Sequence, residues 1–166
     1  MRSNALKLIV GVSDMKVSNN PNSELITYSL GSCIGVVIFD PFVKVGGILH
    51  YMLPESSIDR EKAERNPYMF ADSGIPLLFK ETYKYNATKN RMRVAVFGGS
   101  QILDQKGFFN IGKRNYMAMK KILFKNNVLI NKAIKKVSDD IESFNFNNRS
   151  ELCNPNIRIQ SEELKD

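Results

Sequence analysis

The chain has 166 residues, of which 43% are hydrophobic, and its 24 basic and 17 acidic residues give a formal net charge of +7. This length fits one domain that can bury a core without disulfides or a metal. The two cysteines, Cys33 and Cys153, do not form a disulfide framework, and reduced thiols are typical of the cytosol. Because residues 1–15 lack the features of a secretion signal and no run approaches the ~20 apolar residues of a membrane span, we expect a cytoplasmic protein that does not insert into a membrane.

Strands dominate the prediction for the first third of the chain. The runs rich in β-branched and apolar residues that we predict as strands are residues 6–12, 24–29, 34–39 and 43–51. Asparagines and Pro21 predict a loop at residues 19–22. Asp40 and Pro41 favour a turn, so the third and fourth strands are predicted to form a β-hairpin with residues 40–43 as its loop.

The register of this hairpin predicts where its two chemically reactive side chains lie. If residues 40–43 form the loop, Phe39 faces Lys44, and counting outward places Cys33 opposite His50, the chain's only histidine. Residues directly opposed in an antiparallel pair have Cβ atoms about 4.5–5.5 Å apart. The register therefore predicts a thiol and an imidazole within reach of each other.

The rest of the chain predicts two helices and three further strands. A polar, charged stretch at residues 55–66 is predicted as a mobile surface loop. Asp72 or Ser73 is predicted to cap a helix that runs to about residue 86, and Asn110 to cap one over residues 112–126. The further strands are predicted at residues 91–97, from residue 128 to 130, and at residues 157–159. We divide the chain into a domain of residues 1–150 and a C-terminal strand and tail of residues 151–166.

Cys33 and His50 have an unremarkable interpretation when each is taken alone. A histidine on an apolar strand is commonly a hydrogen-bonded core residue, and a lone cysteine commonly behaves as a small buried hydrophobe. Together they fit a nucleophile and its general base, since a thiol needs a base or a cation nearby to become a thiolate. Thr27 on the preceding strand is a candidate to fix the imidazole tautomer.

Glycines beside the cysteine suggest how a substrate would be held. Backbone N–H groups near Gly31 and Ser32 are candidates to stabilise an oxyanion. Gly98 and Gly99 follow a predicted strand, and we expect a tight turn that lines the site, because the spacing lacks a phosphate-binding motif. One histidine and two isolated cysteines do not supply the ligand spacing of zinc, so we expect no metal and no other cofactor.

Five segments in order resemble the CheD family of chemoreceptor glutamine deamidases. These are residues 27–37 (TYSLGSCIGVV), 46–54 (GGILHYMLP), 68–78 (YMFADSGIPLL), 97–100 (FGGS) and 110–115 (NIGKRN). The resemblance covers about residues 5–130 and includes the spacing between the segments. Several ordered motifs at matching spacing make it far more specific than any one of them.

The resemblance implies a fold, a reaction and partners. It implies an α+β fold in a single compact domain, with mixed, mostly antiparallel sheet layers flanked by two main helices, related to the catalytic domain of the cytotoxic necrotizing factors. Cys33 would attack the side-chain amide of chemoreceptor glutamines, His50 would act as base and acid, and Thr27 would orient His50. Such proteins are also credited with receptor glutamyl methyl-ester hydrolysis and with binding CheC-type phosphatases. We expect chemoreceptor cytoplasmic domains as substrates, and a monomer.

Two features leave alternatives open. The family's glycine-rich C-terminal segment is absent, because residues 138–144 contain no glycine, which bears on partner choice more than on chemistry. Residues 113–138 contain eight basic and no acidic residues, which fits a solvated helix face or a docking surface for acidic protein, whereas no nucleic-acid motif is present. The alternatives to a receptor deamidase are a regulatory protein that acts mainly through a CheC-type phosphatase and a cysteine hydrolase of another amide or ester.

Overall fold

A computed structural model describes residues 5–100, 110–134, 142–144 and 156–160. In these residues the strands are β1 (Leu6–Val10), β2 (Asp14–Ser18), β3 (Ser23–Tyr28), β4 (Ile34–Asp40), β5 (Val45–Tyr51), β6 (Arg93–Gly98), β7 (Lys132–Ile134), β8 (Glu142–Phe144) and β9 (Asn156–Gln160). The α-helices are α1 (Arg60–Arg65), α2 (Ala71–Tyr83) and α3 (Ile111–Lys125), with single turns of 3-10 helix at Ser56–Ile58, Pro67–Met69 and Lys89–Arg91.

The strands form two sheets of different character. A five-stranded sheet has the order β2-β5-β4-β6-β7 and is antiparallel except for its last pair. A four-stranded sheet has the order β1-β3-β9-β8, in which β3 pairs in parallel with both β1 and β9. Sheets of both kinds with helices on one side make this an α+β fold, as the sequence predicted.

Side-chain alternation along β4, β5 and β6 divides the core into two layers. Residues on one face, such as Val36 and Leu49, pack with apolar residues of α2 and α3. Residues on the other face, such as Val37 and Ile48, pack with apolar residues of the β1-β3 sheet and the segment after it. The five-stranded sheet is therefore the middle layer, covered by helices on one face and by the second sheet on the other.

The hairpin of β4 and β5 is present, but its predicted register is wrong by two residues. Asp40 pairs with Val45, and His50 is opposite Gly35 rather than Cys33. The buried Asp40 carboxylate accepts a hydrogen bond from the Phe42 N–H at 3.0 Å, so the turn begins after Asp40 instead of including it. A shift of two residues preserves the face of every side chain within the two strands, and Cys33 lies just before β4, outside the ladder.

An ion pair between Asp40 and Arg91 joins the loop end of the hairpin to the segment just before β6. The Arg91 guanidinium lies 2.9 Å from an Asp40 carboxylate oxygen, and the same carboxylate accepts the Thr88 N–H at 3.0 Å. Burial opposes ionisation of Asp40, but the hydrogen bonds from Arg91, Thr88 and Phe42 outweigh it and lower the pKa. The carboxylate thus stays charged and holds two successive segments together at the end of the sheet away from Cys33.

Several other predicted elements need correction. Residues 55–66 are not a mobile loop, because they contain a 3-10 turn and α1, whose N-cap Asp59 accepts the Lys62 N–H. Phe70 takes the N-cap position of α2, while Asp72 accepts hydrogen bonds from Ser56. The strand predicted at residues 128–130 begins at Lys132 instead. The strands β2 and β8 were not predicted at all.

Other predictions agree with the structure. Strands lie where they were predicted at β1, β3, β6 and β9, and α3 occupies the predicted range within one residue. Asn110 is the N-cap residue of α3, with a left-handed φ of +48°, although its side chain makes no capping hydrogen bond. The relation to the cytotoxic necrotizing factors stays a prediction, and Cys153 lies outside the described residues.

Candidate active site

Cys33 lies in a short loop whose backbone groups are fixed by several hydrogen bonds. The loop connects β3 to β4, and the Cys33 N–H donates to the Leu30 carbonyl at 2.7 Å, which closes a tight turn. The carbonyl oxygens of Gly31, Ser32 and Cys33 each accept a hydrogen bond from a different part of the chain. The loop is therefore fixed by polar contacts rather than by regular strand pairing.

Two of those contacts come from Gly99 and Ser100, which directly follow β6. The Gly99 N–H donates to the Cys33 carbonyl and the Ser100 N–H to the Gly31 carbonyl, both at 2.9 Å. Gly98 has a φ of +94°, and a Cβ atom there would lie 2.3 Å from the Cys33 carbonyl oxygen. Glycine is thus required at position 98 both for its backbone conformation and for the close approach to Cys33.

Asn115 on α3 supplies the third contact. This residue is fully buried, and its side-chain amide donates to the carbonyl oxygens of Ser32 at 3.0 Å and Met52 at 2.9 Å. The Tyr51 hydroxyl donates to the Asn115 backbone carbonyl at 2.7 Å. One side chain of α3 therefore joins the loop before β4 to the segment that follows β5.

His50 is completely buried near the end of β5 and is oriented by Thr27. The Thr27 hydroxyl oxygen lies 2.9 Å from Nδ1 of His50 and 2.8 Å from the Val10 carbonyl oxygen. A hydroxyl has one proton, and the carbonyl can only accept, so the hydroxyl donates to Val10 and accepts from His50. This assigns the proton of the neutral imidazole to Nδ1 and leaves an unprotonated lone pair on Nε2.

Nε2 of His50 is buried and has no hydrogen-bond partner among the described residues. An orphaned acceptor of this kind is uncommon in a folded protein, because burying it without a partner costs about 1–3 kcal/mol. His50 is opposite Gly35, and Cys33 is two residues before Gly35, in the loop that leads into β4. Cys33 and His50 thus lie at the same end of the β4-β5 hairpin, and Nε2 makes no hydrogen bond to the Cys33 sulfur.

Burial keeps both groups neutral near pH 7. It raises the pKa of the Cys33 thiol to about 11. It also lowers the pKa of His50 to about 4, and the Asp14 carboxylate opposes this effect in part. A neutral thiol must lose its proton before the sulfur can attack, and a neutral imidazole can accept one, so these two groups fit a nucleophile with a general base rather than a preformed ion pair.

The other predicted site residues lie around the loop, with different roles for their backbone groups. The N–H groups of Cys33 and Gly99 are already engaged in the loop contacts. The N–H groups of Gly31 and Ser32 donate to no described residue. Of the predicted site residues, Gly31 and Ser32 therefore have N–H groups free of any described partner, whereas Gly98 and Gly99 support the loop.

Asp14 and Asn115 belong to this site but were not proposed as site residues from the sequence. Asp14 pairs with His50 across β2 and β5, a strand pair that the sequence did not predict. Asn115 is a polar residue on the buried stripe of α3, four residues before the buried Met119. A polar side chain within an apolar helix stripe is a signal that sequence inspection can detect.

The described residues contain no cluster of three His, Cys, Asp or Glu side chains that could hold a metal ion. Within the same ranges, no helix is long and apolar enough to cross a membrane.

Comparison with known proteins gives consistent matches. A family model described as CheD, chemotactic sensory transduction, matches residues 52–138. A Syntrophus aciditrophicus protein named "Probable chemoreceptor glutamine deamidase CheD 1" is 59% identical over 124 residues, which are 75% of this chain and 78% of that one. The protein of Solibacter usitatus, with the same name lacking the number, is 48% identical over 124 residues, 75% of this chain and 73% of its own.

A third relative, the protein named CheD 2 of Anaeromyxobacter dehalogenans, is 44% identical over 114 residues, which are 69% of this chain and 72% of that one. The segment matched by the family model begins two residues after His50. The assignment of Cys33, His50 and Thr27 therefore depends on the geometry of the site.

Proposed function

The chain belongs to the CheD family of chemotactic sensory transduction proteins, and we propose that it deamidates glutamine side chains of chemoreceptors to glutamate. The proposal extends to this chain the activity for which its relatives are named. The observation that carries the chemistry is the buried, unpartnered Nε2 of an imidazole whose other nitrogen is held by Thr27.

In the first half of the proposed reaction, Nε2 of His50 accepts the thiol proton of Cys33. The resulting thiolate attacks the carbonyl carbon of the glutamine side chain and forms a tetrahedral intermediate. The imidazolium then returns its proton to the nitrogen, the C–N bond breaks, and ammonia leaves behind a thioester on Cys33. A neutral imidazole is the required starting state, and the lowered pKa of His50 supports it.

In the second half of the proposed reaction, water takes the place of the thiol as the nucleophile. His50 takes a proton from water while the oxygen attacks the thioester carbon, and the C–S bond then breaks to release glutamate and the Cys33 thiol. The N–H groups of Gly31 and Ser32 would hold the oxyanion in both steps, since they have no partner in the described residues. The same steps would hydrolyse a glutamyl methyl ester, with methanol as the leaving group.

Location and partners follow from the same chemistry. The substrate would be the cytoplasmic domain of a chemoreceptor, and the reaction needs a reduced Cys33, which the cytoplasm maintains. Because the reaction uses only side chains of this chain and water, we propose no metal or cofactor for it.

A mass-spectrometric assay with matched cysteine variants tests this function. Chemoreceptor cytoplasmic domains would be incubated with the wild-type protein, with Cys33→Ala and with Cys153→Ala, and peptides would be scanned for glutamine converted to glutamate. We expect conversion with the wild type and Cys153→Ala but none with Cys33→Ala. The absence of conversion with folded wild-type protein, or equal conversion with Cys33→Ala, would contradict the proposal.

A further inference from the structure

The exposed face of α3 carries an unbalanced positive charge. The helix contains five basic residues and no acidic residue, and all five side chains are exposed: Lys113, Arg114, Lys120, Lys121 and Lys125. None of them forms a salt bridge with another described residue. In contrast, Lys62 and Arg65 of α1, and Lys84 just after α2, pair with acidic neighbours three or four residues away.

Apolar side chains are exposed within the same face. Met117 is 54% exposed and Phe124 is 85% exposed, and both lie on the line of Arg114 and Lys121. The successive spacings of these four residues are three, four and three, which places them in one stripe along the helix. A stripe that alternates basic and apolar side chains is suited to an acidic amphipathic helix more than to solvent alone.

A cleft of about 430 Å³ lies beside this stripe. Its walls are Arg114, Met117, Ala118 and Lys121 of α3, and Pro54 and Glu55 of the segment that follows β5. Glu55 is the one acidic side chain in the wall, so the two basic side chains leave the cleft net positive. The stripe therefore forms one wall of a concave surface.

This surface adjoins the candidate active site. Asn115, which follows Arg114, holds the Ser32 carbonyl in the loop of Cys33, and it also holds Met52, two residues before Pro54. Lys121 is six residues beyond Asn115, about 9 Å along the helix axis at 1.5 Å per residue. The part of the stripe from Arg114 to Lys121 thus lies within two helical turns of Asn115, which holds the cysteine loop.

We propose that this face of α3, with its cleft, binds an acidic amphipathic helix of the protein substrate and so presents a neighbouring glutamine to Cys33. The proposal rests on the function proposed above, which supplies the glutamine-bearing protein. Charge complementarity selects the partner, because five basic side chains without a salt bridge to any described residue attract a glutamate-rich helix and repel a basic one. Met117 and Phe124 supply the apolar contact that charge alone does not.

Charge reversal at the cleft tests the surface, with steady-state kinetics of receptor deamidation as the readout. In Arg114→Glu with Lys121→Glu, we expect kcat/KM to fall at least about tenfold while kcat at saturation changes less than about twofold, because binding is lost and not chemistry. Raising the salt concentration should lower kcat/KM of the wild type toward that of the variant. The matched control is Lys7→Glu with Lys44→Glu, an equal charge change on exposed residues of β1 and the hairpin loop, which should behave as the wild type.

The outcomes separate the surface from the function. Unchanged kcat/KM and salt dependence in the α3 variant, or an equal loss in the control, would overturn the docking surface while leaving deamidation intact. A loss of kcat instead of a rise in KM would also overturn it and assign these residues to maintenance of the site. If the wild type does not deamidate the receptor domain, binding of that domain to Cys33→Ala, measured by calorimetry with and without charge reversal, still tests the surface alone.

Discussion

Thr27 determines which nitrogen of His50 carries the proton. Its hydroxyl proton is committed to the Val10 carbonyl, so its oxygen accepts from Nδ1 and keeps Nε2 unprotonated. Without an acceptor at this position the imidazole can place its proton on Nε2, where it cannot receive the thiol proton. A threonine with no charge of its own can therefore control the base.

Replacing Thr27 with the isosteric valine should lower kcat roughly 10²-fold, since the imidazole loses the acceptor that fixes both its tautomer and the orientation of its ring. Thr27→Ser keeps the hydroxyl and should retain kcat within about threefold. The imidazole ¹⁵N chemical shifts would show a protonated Nδ1 in the wild type and in Thr27→Ser, and a mixture of tautomers in Thr27→Val. Equal kcat values and equal shifts in all three proteins would contradict this role.

Residue-level prediction from the sequence rests on residue types that can carry the chemistry. A single histidine, a cysteine next to Gly31-Ser32 and a threonine on the preceding strand could be selected from the sequence because few residue types can act as base, nucleophile or tautomer anchor. The hydrogen bond between Thr27 and His50 is present as predicted. The sequence could not show that the Gly99 N–H donates to the Cys33 carbonyl whereas the Ser32 N–H has no described acceptor, because this depends on the backbone hydrogen bonds of the folded chain.

At the scale of the elements, α3 acts as a clamp on the two segments that carry the reactive groups. Asn115 reaches the loop before β4 and the segment after β5 with one amide group. Its own Oδ1 is buried without a partner in the described residues, so the side chain is placed for its two donors rather than for its acceptor. A helix that packs on the sheet therefore also sets the position of the cysteine loop.

Truncation of this clamp should cost stability and activity together. In Asn115→Ala the carbonyl oxygens of Ser32 and Met52 lose their donor, and we expect the free energy of unfolding to fall by about 2 kcal/mol, as for other buried groups left unpaired. We also expect a lower kcat for receptor deamidation, since the loop of Cys33 is no longer fixed. Urea unfolding followed by circular dichroism and deamidation kinetics measure the two effects.

Asn126→Ala provides the matched control at the other end of α3. The Asn126 amide donates to the Ile122 carbonyl at 2.8 Å at an exposed position. Its loss should change the free energy of unfolding by less than about 0.5 kcal/mol and leave kcat unaltered. A kcat for Asn115→Ala equal to that of the wild type would mean that the loop is positioned without the clamp.

Prediction of elements failed where pairing, not local sequence, decides the structure. β2 has an alternating pattern of only five residues, too short to identify it as a strand. It is stabilised by its pairing with β5, and the residues of β2 alone do not predict that pairing. The hairpin register was off by two because the Asp40 side chain, held by Arg91 and Thr88 about 50 residues later, sets where the turn begins. Long-range contacts of this kind override the local turn preference.

For the whole molecule, stacking one sheet on the other is what desolvates His50. Thr27 and Val10 belong to the four-stranded sheet and His50 to the five-stranded sheet, so the hydrogen bond between Thr27 and His50 crosses the interface between the two. The interface excludes solvent from the imidazole and lowers its pKa to about 4. The same packing that prepares a neutral base therefore makes the fold sensitive to acid.

This sensitivity has a defined sign and pH range. Above pH 6.5 His50 is neutral in both the folded and unfolded chain and contributes no pH dependence. Between pH 6.5 and about 4 the unfolded chain takes up a proton that the folded chain excludes, so stability falls as the pH is lowered. The pKa of Asp40 is lowered, so its contribution is lost only at more acidic pH, below the ordinary carboxylate range.

We expect the free energy of unfolding to decrease by about 3 kcal/mol from this residue between pH 7.5 and pH 4, a large part of the 5–15 kcal/mol typical of a domain. Urea unfolding at pH 7.5, 6, 5 and 4.5 would measure most of the decrease before Asp40 titrates. In His50→Gln, which cannot take up a proton, the slope of stability against pH should be much smaller over this range. An equal slope in both proteins would show that other groups govern the acid response, and the imidazole would then be less shielded from water than the packing of the two sheets requires.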